Sequence, residues 1–117
     1  MSKKVSREQL LNLSVQHERT SKSKAQSTGA VLAIDYGEKH CGLAVAPDGV
    51  TVLPAAVVQT EKINSALKSL VADYQIKTLV LGLPLSSDGS ENHICAQIRA
   101  FSAELEKQYK SLAIEFV

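Results

Sequence analysis

Residues 31–46, VLAIDYGEKHCGLAVA, constrain the fold more than any other stretch, because two apolar runs flank a short polar segment. The continuous apolar run AVLAI is typical of a central strand that is covered on both faces. The run CGLAVA resumes after the polar YGEKH, so the pattern predicts a β-hairpin. Asp35 closes the first strand, and an acidic residue at the end of a buried run needs an explanation.

The residues after this hairpin predict an edge strand. Pro47, Asp48 and Gly49 indicate a second turn, and VTVLPAAVVQT then supplies a third strand that contains Pro54. A proline cannot donate a hydrogen bond to a sheet ladder, so this strand is predicted at an edge of the sheet. The first strand is then expected further inside.

Two amphipathic helices alternate with two further strands. EKINSALKSLVADY predicts a helix of about 12 residues with Thr60 as its cap, and KTLVLGL a buried strand. PLSSDGS reads as a loop, after which Ser90 is expected to cap a longer helix. LAIEFV is the last strand. The apolar stripes of the two helices are Ile63, Leu67, Leu70, Val71 and Tyr74, and Ile94, Ile98, Phe101, Leu105 and Tyr109.

This order of elements predicts an α/β fold. Three hairpin-linked strands followed by right-handed crossovers through helices give a mixed five-stranded sheet with helices on its faces. A functional crevice in such a sheet is expected where the first and fourth strands run side by side and their connections diverge. Asp35-Tyr36-Gly37 follows one of these strands, and Gly82-Leu83-Pro84 follows the other.

Composition favours one compact domain that is not attached to a membrane. The chain has 117 residues, of which 44% are hydrophobic and 21% charged, and it contains no apolar run of 18 residues. The first residues are polar, unlike a secretory signal, so a cytoplasmic location is expected. Cys41 and Cys95 are far apart without a CxxC spacing, which predicts two reduced, buried thiols and no zinc site.

Residues 1–29 predict a basic, mostly mobile arm before the folded domain. They carry six lysine or arginine residues against two glutamates, and they are rich in serine, threonine and glutamine. A solubilising tail is the preferred interpretation, with a phosphate-contacting arm as the alternative. A transit peptide fits less well, because Glu8 and Glu18 are unusual in an acid-poor presequence.

Two interpretations of Asp35 follow from its position. An aspartate near Gly37 is often a turn former that bonds its own backbone. A carboxylate on a rigid central strand also suits Mg²⁺ or Mn²⁺, which prefer hard oxygen ligands. Gly37 and Gly42 lack side chains and would let a large substrate approach this carboxylate closely.

A second motif supports the functional interpretation. Together with IDYGEKHCGLAVA, the segment LVLGLPLSSDGSENHICAQIRAFSAEL resembles the YqgF/RuvX family of RNase H-like proteins. These proteins are associated with pre-16S ribosomal RNA processing and are also described as Holliday junction resolvase homologues. The resemblance covers residues 31–117, with both motifs in the right order and spacing.

The resemblance implies a chemistry and a set of site residues. The chemistry would be metal-assisted phosphodiester hydrolysis of structured RNA or branched DNA, with Asp35 as the first carboxylate that holds Mg²⁺ or Mn²⁺. Lys39 and His40 would contact phosphate, although many family members carry an arginine in place of His40, so this contact would be weaker or pH-dependent. Six residues would shape the site: Gly37, Gly42, Gly82, Pro84, Asp88 and Gly89.

The resemblance also shows where this sequence departs from the family. In the family the last strand is followed by an Asp-Glu-Arg motif and a helix with another aspartate, whereas this sequence stops at Val117. We therefore expect a C-terminally truncated domain over residues 30–117 that binds the metal weakly or not at all. Asp88, Glu91 and Glu115 are poor candidates to replace the missing carboxylates.

The absent helix leads to a further expectation and to alternative functions. One sheet face should be left exposed and invite self-association or a protein partner.

The chain would then be either a nuclease of reduced or no activity, or a non-catalytic domain that binds nucleic acid or protein. An actin-like ATPase phosphate loop is a third interpretation. It is disfavoured because such proteins need a second phosphate loop and a second domain.

Overall fold

The computed structural model describes residues 29–117. These residues form five strands and two helices. The elements are β1 (Ala30–Asp35), β2 (His40–Ala46), β3 (Leu53–Gln59), α1 (Ile63–Tyr74), β4 (Ile76–Leu81), α2 (His93–Gln108) and β5 (Ala113–Phe116). The predicted basic arm lies outside the described residues except for Gly29.

The five strands form one mixed sheet in the order β3-β2-β1-β4-β5. β2 runs antiparallel to both β1 and β3, whereas β4 runs parallel to both β1 and β5. β1 is therefore the central strand, and its neighbour β4 joins it after a crossover through α1. The predicted α/β fold with a mixed five-stranded sheet is confirmed.

The third strand lies at an edge of the sheet, as Pro54 predicts. Pro54 pairs with Ala44, and the register shifts beside this pair so that one extra residue of β3 is accommodated. A bulge on an edge strand tolerates the missing N–H of proline. The strand begins at Leu53, later than the sequence pattern suggests, because Asp48 Oδ1 accepts hydrogen bonds from the N–H groups of Val50 and Thr51 at 2.8 and 2.6 Å.

Both helices pack on the same face of the sheet and form the main core with it. Leu67 of α1 and Ile98 of α2 are fully buried against strand residues such as Leu32 and Leu79. The predicted apolar stripes are thereby confirmed for most of their length. Tyr74 at the end of α1 is the exception, since it is 41% exposed.

The opposite face of the sheet is also buried at its centre, which corrects the expectation of an exposed apolar surface. Val31, Ala33, Ala44, Ala46 and Val80 on this face are between 0% and 6% exposed. Val52, from the segment before β3, and Val117 pack against these residues. Self-association or the binding of a protein partner through this face stays a prediction.

The starts of both helices differ from the prediction. Thr60 belongs to a short 3-10 turn, Thr60–Lys62, and makes no capping bond, because its hydroxyl bonds the loop after β1. Asn92, not Ser90, is the N-cap of α2, and its side-chain oxygen accepts the N–H of Cys95 at 3.3 Å.

Among residues 29–117 no helix has the length and apolar character needed to cross a membrane.

Candidate functional site

Asp35 is the last residue of the central strand and lies beside the end of β4. It pairs with Gly42 across the antiparallel hairpin. On the other side the register places Gly82 next to it, because Ile34 pairs with Leu81 and the N–H of Gly82 donates to the Ile34 carbonyl at 3.5 Å. The structure thus brings Asp35 to the Gly82-Leu83-Pro84 corner, where the connections after β1 and β4 diverge.

The residues on either side of Asp35 in the sheet, Gly42 and Gly82, are both glycines. Side chains alternate between the faces of a strand, so Asp35 shares a face with Ala33 and lies opposite the face that both helices cover. Gly42 and Gly82 are the cross-strand neighbours of Asp35 on that face, and neither has a side chain. The half-buried carboxylate is therefore flanked by bare backbone on both neighbouring strands.

The loop between β1 and β2 is a tight turn that depends on a glycine. A Cβ added at Gly37 would lie 2.4 Å from the His40 carbonyl oxygen, a distance that real side chains do not adopt. Only a glycine lets the backbone close this turn without rearrangement. Gly37 therefore closes the turn, whereas its role in letting a substrate approach stays a prediction.

The same loop is anchored to α2 at two points. The ring of Tyr36 packs on the ring of Phe101 with centroids 4.9 Å apart, and partial burial raises the pKa of the tyrosine hydroxyl above its usual value of 10.0. Glu38 Oε1 lies 3.3 Å from His93 Nε2 at the start of the helix, in an exposed pair. The loop that carries Lys39 is thus held against the helix.

Lys39 and His40 occupy different environments. Lys39 is exposed at the tip of the loop, as expected of a residue that could contact phosphate. His40 opens β2 and, being two residues from Gly42, shares the face of Asp35. Its Nδ1 atom is buried and has no hydrogen-bond partner in the part of the chain that the structure describes.

The loop from Gly82 to Asn92 is organised by turns and by one asparagine. Asp88 accepts hydrogen bonds from the hydroxyl and the N–H of Ser90 at 2.6 and 2.9 Å, and these bonds lower the pKa of its carboxyl. Gly89 follows in a left-handed conformation with φ of +85°. Asn92 Nδ2 donates to the Pro84 carbonyl at 3.0 Å and lies 3.2 Å from the Ser86 hydroxyl. Asp88 and Gly89 therefore shape the loop.

The other acidic residues considered as metal ligands are placed differently. Glu91 forms a two-point ion pair with Arg99, which lowers the pKa of the glutamate. Glu115 lies on β5 and pairs with Val80 of β4, so it faces away from the helices as its alternation predicts. It shares the face of Asp35, but β4 lies between them, and two strand spacings amount to about 10 Å.

The fit of these residues to Mg²⁺ or Mn²⁺ is partial. Asp35 offers a carboxylate between two glycines, and a carboxylate oxygen is the ligand type that a hard cation prefers. Within residues 29–117, however, no group of three histidine, cysteine, aspartate or glutamate side chains is placed to hold a metal ion. Asp35 would supply one ligand position, and residues 29–117 would not complete a coordination sphere by themselves.

Several residues that organise the site were not assigned these roles from the sequence. Asn92 joins the Pro84 corner to the start of α2, and Thr60 bonds the loop after β1. Arg99 lies 5.0 Å above the Phe116 ring while it pairs with Glu91. The cap at Asn92 could have been predicted from the sequence, because asparagine is among the best N-cap residues. The contacts of Thr60 and Arg99 could not, because their partners are distant in sequence.

The sheet order, the antiparallel first hairpin and the acidic residue at the end of the central strand define a protein with the RNase H-like fold. The family model described as "RuvX: Holliday junction resolvase" matches residues 29–117, and the chain belongs to this family.

Relatives of this family support the assignment. The chain is 37% identical over 92 residues to a protein of Thiobacillus denitrificans, and the match covers 75% of this chain and 63% of the relative. It is 39% identical over 92 residues to a protein of Dictyoglomus thermophilum, covering 74% and 65% of the two chains. Both relatives are provisionally named pre-16S rRNA nucleases. The chain thus spans somewhat less than two thirds of the length of each.

One solved structure shares the fold at low sequence identity. It is a Bacteroides thetaiotaomicron protein described as having an actin-like ATPase fold and unknown function. The match has a TM-score of 0.52 at 15% identity, and it covers 86% of this chain and 37% of that chain. At this identity the likeness concerns the fold alone.

Proposed function

We propose that this chain carries part of the active site of a metal-dependent nuclease, with Asp35 as its first metal-binding carboxylate. The proposed substrates are structured RNA, with pre-16S ribosomal RNA as the leading case, or branched DNA. The single observation that carries the proposal is the position of Asp35 between Gly42 and Gly82 at the end of the central strand. Family membership and the names of the relatives support the same chemistry.

The residues around Asp35 would divide the work between metal and substrate. A bound Mg²⁺ or Mn²⁺ would activate water and stabilise the leaving oxygen. Asp35 would hold one ligand position, the half-buried Gly82 would place no side chain in the way of the phosphodiester, and Lys39 would attract its negative charge. His40 would contact the same phosphate with the ring edge opposite its buried Nδ1.

We further propose that the 117-residue chain cleaves weakly or not at all by itself. Mg²⁺ sheds water reluctantly and needs several well-placed ligands, and residues 29–117 do not offer three together. The same observation favours the second candidate function, a non-catalytic domain that binds nucleic acid. The two candidates differ in whether Asp35 takes part in metal binding.

A comparison of Asp35→Asn with Asp73→Asn tests the proposal. Both changes remove one carboxylate, but Asp73 is exposed on α1, away from the sheet edge. We expect Mn²⁺ to broaden the amide NMR signals of residues 34–42 in the unaltered chain and in Asp73→Asn, and not in Asp35→Asn. Cleavage of a structured RNA and of a four-way DNA junction should be at background level in all three.

Each outcome decides between the candidates. Broadening that persists in Asp35→Asn would contradict the metal role of this residue. Binding of the RNA in EDTA by a chain that shows no Mn²⁺ response would favour the non-catalytic domain. Robust cleavage that Asp35→Asn abolishes would support the nuclease and overturn the proposal of weak activity.

A further inference from the structure

We propose that Thr60 is a positioning residue that holds the loop between Asp35 and His40 in its working conformation. The inference rests on the proposed function, because it assigns to this loop the contact with the phosphate backbone of a nucleic acid. It concerns a residue outside both sequence motifs, at the start of the turn that follows β3.

Thr60 bonds the loop through two of its own groups. Its hydroxyl donates to the Gly37 carbonyl at 2.6 Å, and its backbone N–H donates to the Lys39 carbonyl at 2.8 Å. These two carbonyls lie on either side of Glu38, so Thr60 spans the tip of the loop. Both bonds oppose outward movement of the loop, and the loss of either one makes that movement easier.

The hydroxyl bond is partly sheltered from water. The thiol of Cys41 lies 3.4 Å from the Thr60 hydroxyl and 3.9 Å from the Gly37 carbonyl, and Cys41 is fully buried. Thr60 and Gly37 are themselves half-buried. Loss of a hydrogen bond in such surroundings carries a cost, because water reaches the carbonyl only in part and the thiol is a weak donor.

The hydroxyl of Thr60 makes this contact with another connection of the fold. The 3-10 turn that begins at Thr60 has Gln59 as its N-cap and no side-chain cap, and the hydroxyl of Thr60 donates to the Gly37 carbonyl. Thr60 therefore ties the turn after β3 to the loop after β1.

The consequence for the site is a fixed direction for Lys39 and His40. The tight approach of Gly37 to the His40 carbonyl leaves one compact path for this backbone, and Thr60 holds that path from outside. Tyr36 is held separately by Phe101. Loss of the Thr60 hydroxyl should therefore release the part of the loop that carries Lys39 while Tyr36 stays in place.

Thr60→Val tests this role, with Thr60→Ser as the conservative comparison. Valine keeps the shape and the backbone N–H bond but loses the hydroxyl, whereas serine keeps the hydroxyl. We expect Thr60→Val to speed hydrogen exchange of the amides of residues 38–41 by about fivefold to tenfold, the range for one lost hydrogen bond. Thr60→Ser should exchange like the unaltered chain.

A second readout connects the loop to nucleic acid. Binding of a fluorescent RNA hairpin in EDTA, followed by anisotropy, should weaken several-fold in Thr60→Val and recover in Thr60→Ser. Lys39→Gln alone should weaken binding of the RNA hairpin. Combined with Thr60→Val it should weaken binding little further than Thr60→Val does, because the released loop no longer directs the lysine.

Leu105→Val provides the control for general destabilisation. Leu105 is fully buried in the last turns of α2, so its shortening lowers stability without touching the loop. The proposal would be overturned if Leu105→Val speeds exchange at residues 38–41 as much as Thr60→Val does. It would also be overturned if exchange in Thr60→Val is unchanged.

The experiment separates this inference from the proposed function. If the unaltered chain binds no RNA hairpin, the proposed function loses its support, while the exchange data still decide whether Thr60 holds the loop. If RNA binds equally well with and without the Thr60 hydroxyl although exchange is faster, the bond is structural only and the positioning role is wrong.

Discussion

At the scale of single residues, three glycines shape the surroundings of the acidic residue Asp35. Gly42 and Gly82 flank Asp35 on the two neighbouring strands, and Gly37 closes the loop that follows. The glycines act differently, since Gly42 and Gly82 add no side chain beside Asp35 and Gly37 permits a close backbone contact. Substitution of Gly37 should therefore lower the free energy of unfolding measurably.

Gly37→Ala should lower the free energy of unfolding by about 2 kcal/mol or more, in the upper part of the range for single substitutions. The new Cβ would meet a backbone carbonyl at 2.4 Å, and backbone cannot yield as a flexible side chain does. Urea unfolding followed by circular dichroism would measure the loss.

Gly89→Ala serves as the comparison for this prediction. Nothing lies within 4 Å of a Cβ at Gly89, so only its left-handed conformation, with φ of +85°, opposes the change. That cost should be about 1 kcal/mol. A larger loss in Gly89→Ala than in Gly37→Ala would show that the steric contact at Gly37 is relieved more easily than the geometry indicates.

At the scale of elements, the connections are more specific than the helices and strands that they join. Asn92 caps α2 and also bonds the Pro84 carbonyl and the Ser86 hydroxyl, so one side chain organises the end of the long loop. Ser90, which the sequence suggests as the cap, instead supports Asp88 in the preceding turn. The two residues therefore differ in what they stabilise.

Asn92→Ala should cost about 1 to 2 kcal/mol of stability, because it removes the N-cap and leaves the Pro84 carbonyl without this donor. Ser90→Ala should cost less, since the bonds of Ser90 lie in an exposed turn. Thermal unfolding of both variants would compare the two losses. An equal or larger effect of Ser90→Ala would contradict the assignment of the cap.

At the scale of the whole molecule, a sheet with apolar residues on both faces has both central surfaces buried. The helices cover one face, and five residues at the centre of the other are also buried: Val31, Ala33, Ala44, Ala46 and Val80.

Acid stability is a second property of the whole chain, because several carboxylates accept hydrogen bonds in the folded state. Their effect can be followed by titration.

The folded chain should lose stability as the pH falls below about 4. Hydrogen bonds lower the pKa of Asp48 and Asp88 below the ordinary value of 3.8. A group with a lowered pKa stabilises the fold fully above its unfolded pKa and loses that contribution as the pH falls through its folded pKa. Urea unfolding at pH 6, 4 and 3 would measure the decline.

The double variant Asp48→Asn, Asp88→Asn should show a shallower decline between pH 4 and 3. Asparagine can accept the same turn hydrogen bonds but does not titrate in this range. Asp73→Asn controls for the general loss of negative charge. An unchanged slope in the double variant would show that the acid sensitivity arises elsewhere.

The sequence by itself determined the class of fold, the edge strand and the position of Asp35 at the end of the central strand, because these depend on local patterns. Apolar periodicity placed the strands and helices, and Pro54 marked an edge since it lacks a donor. The tertiary structure decided which partners met: Thr60 with Gly37, Asn92 with Pro84, and the two glycines beside Asp35. Such contacts join residues far apart in the chain, and only the packing of the sheet and helices brings them within hydrogen-bond distance.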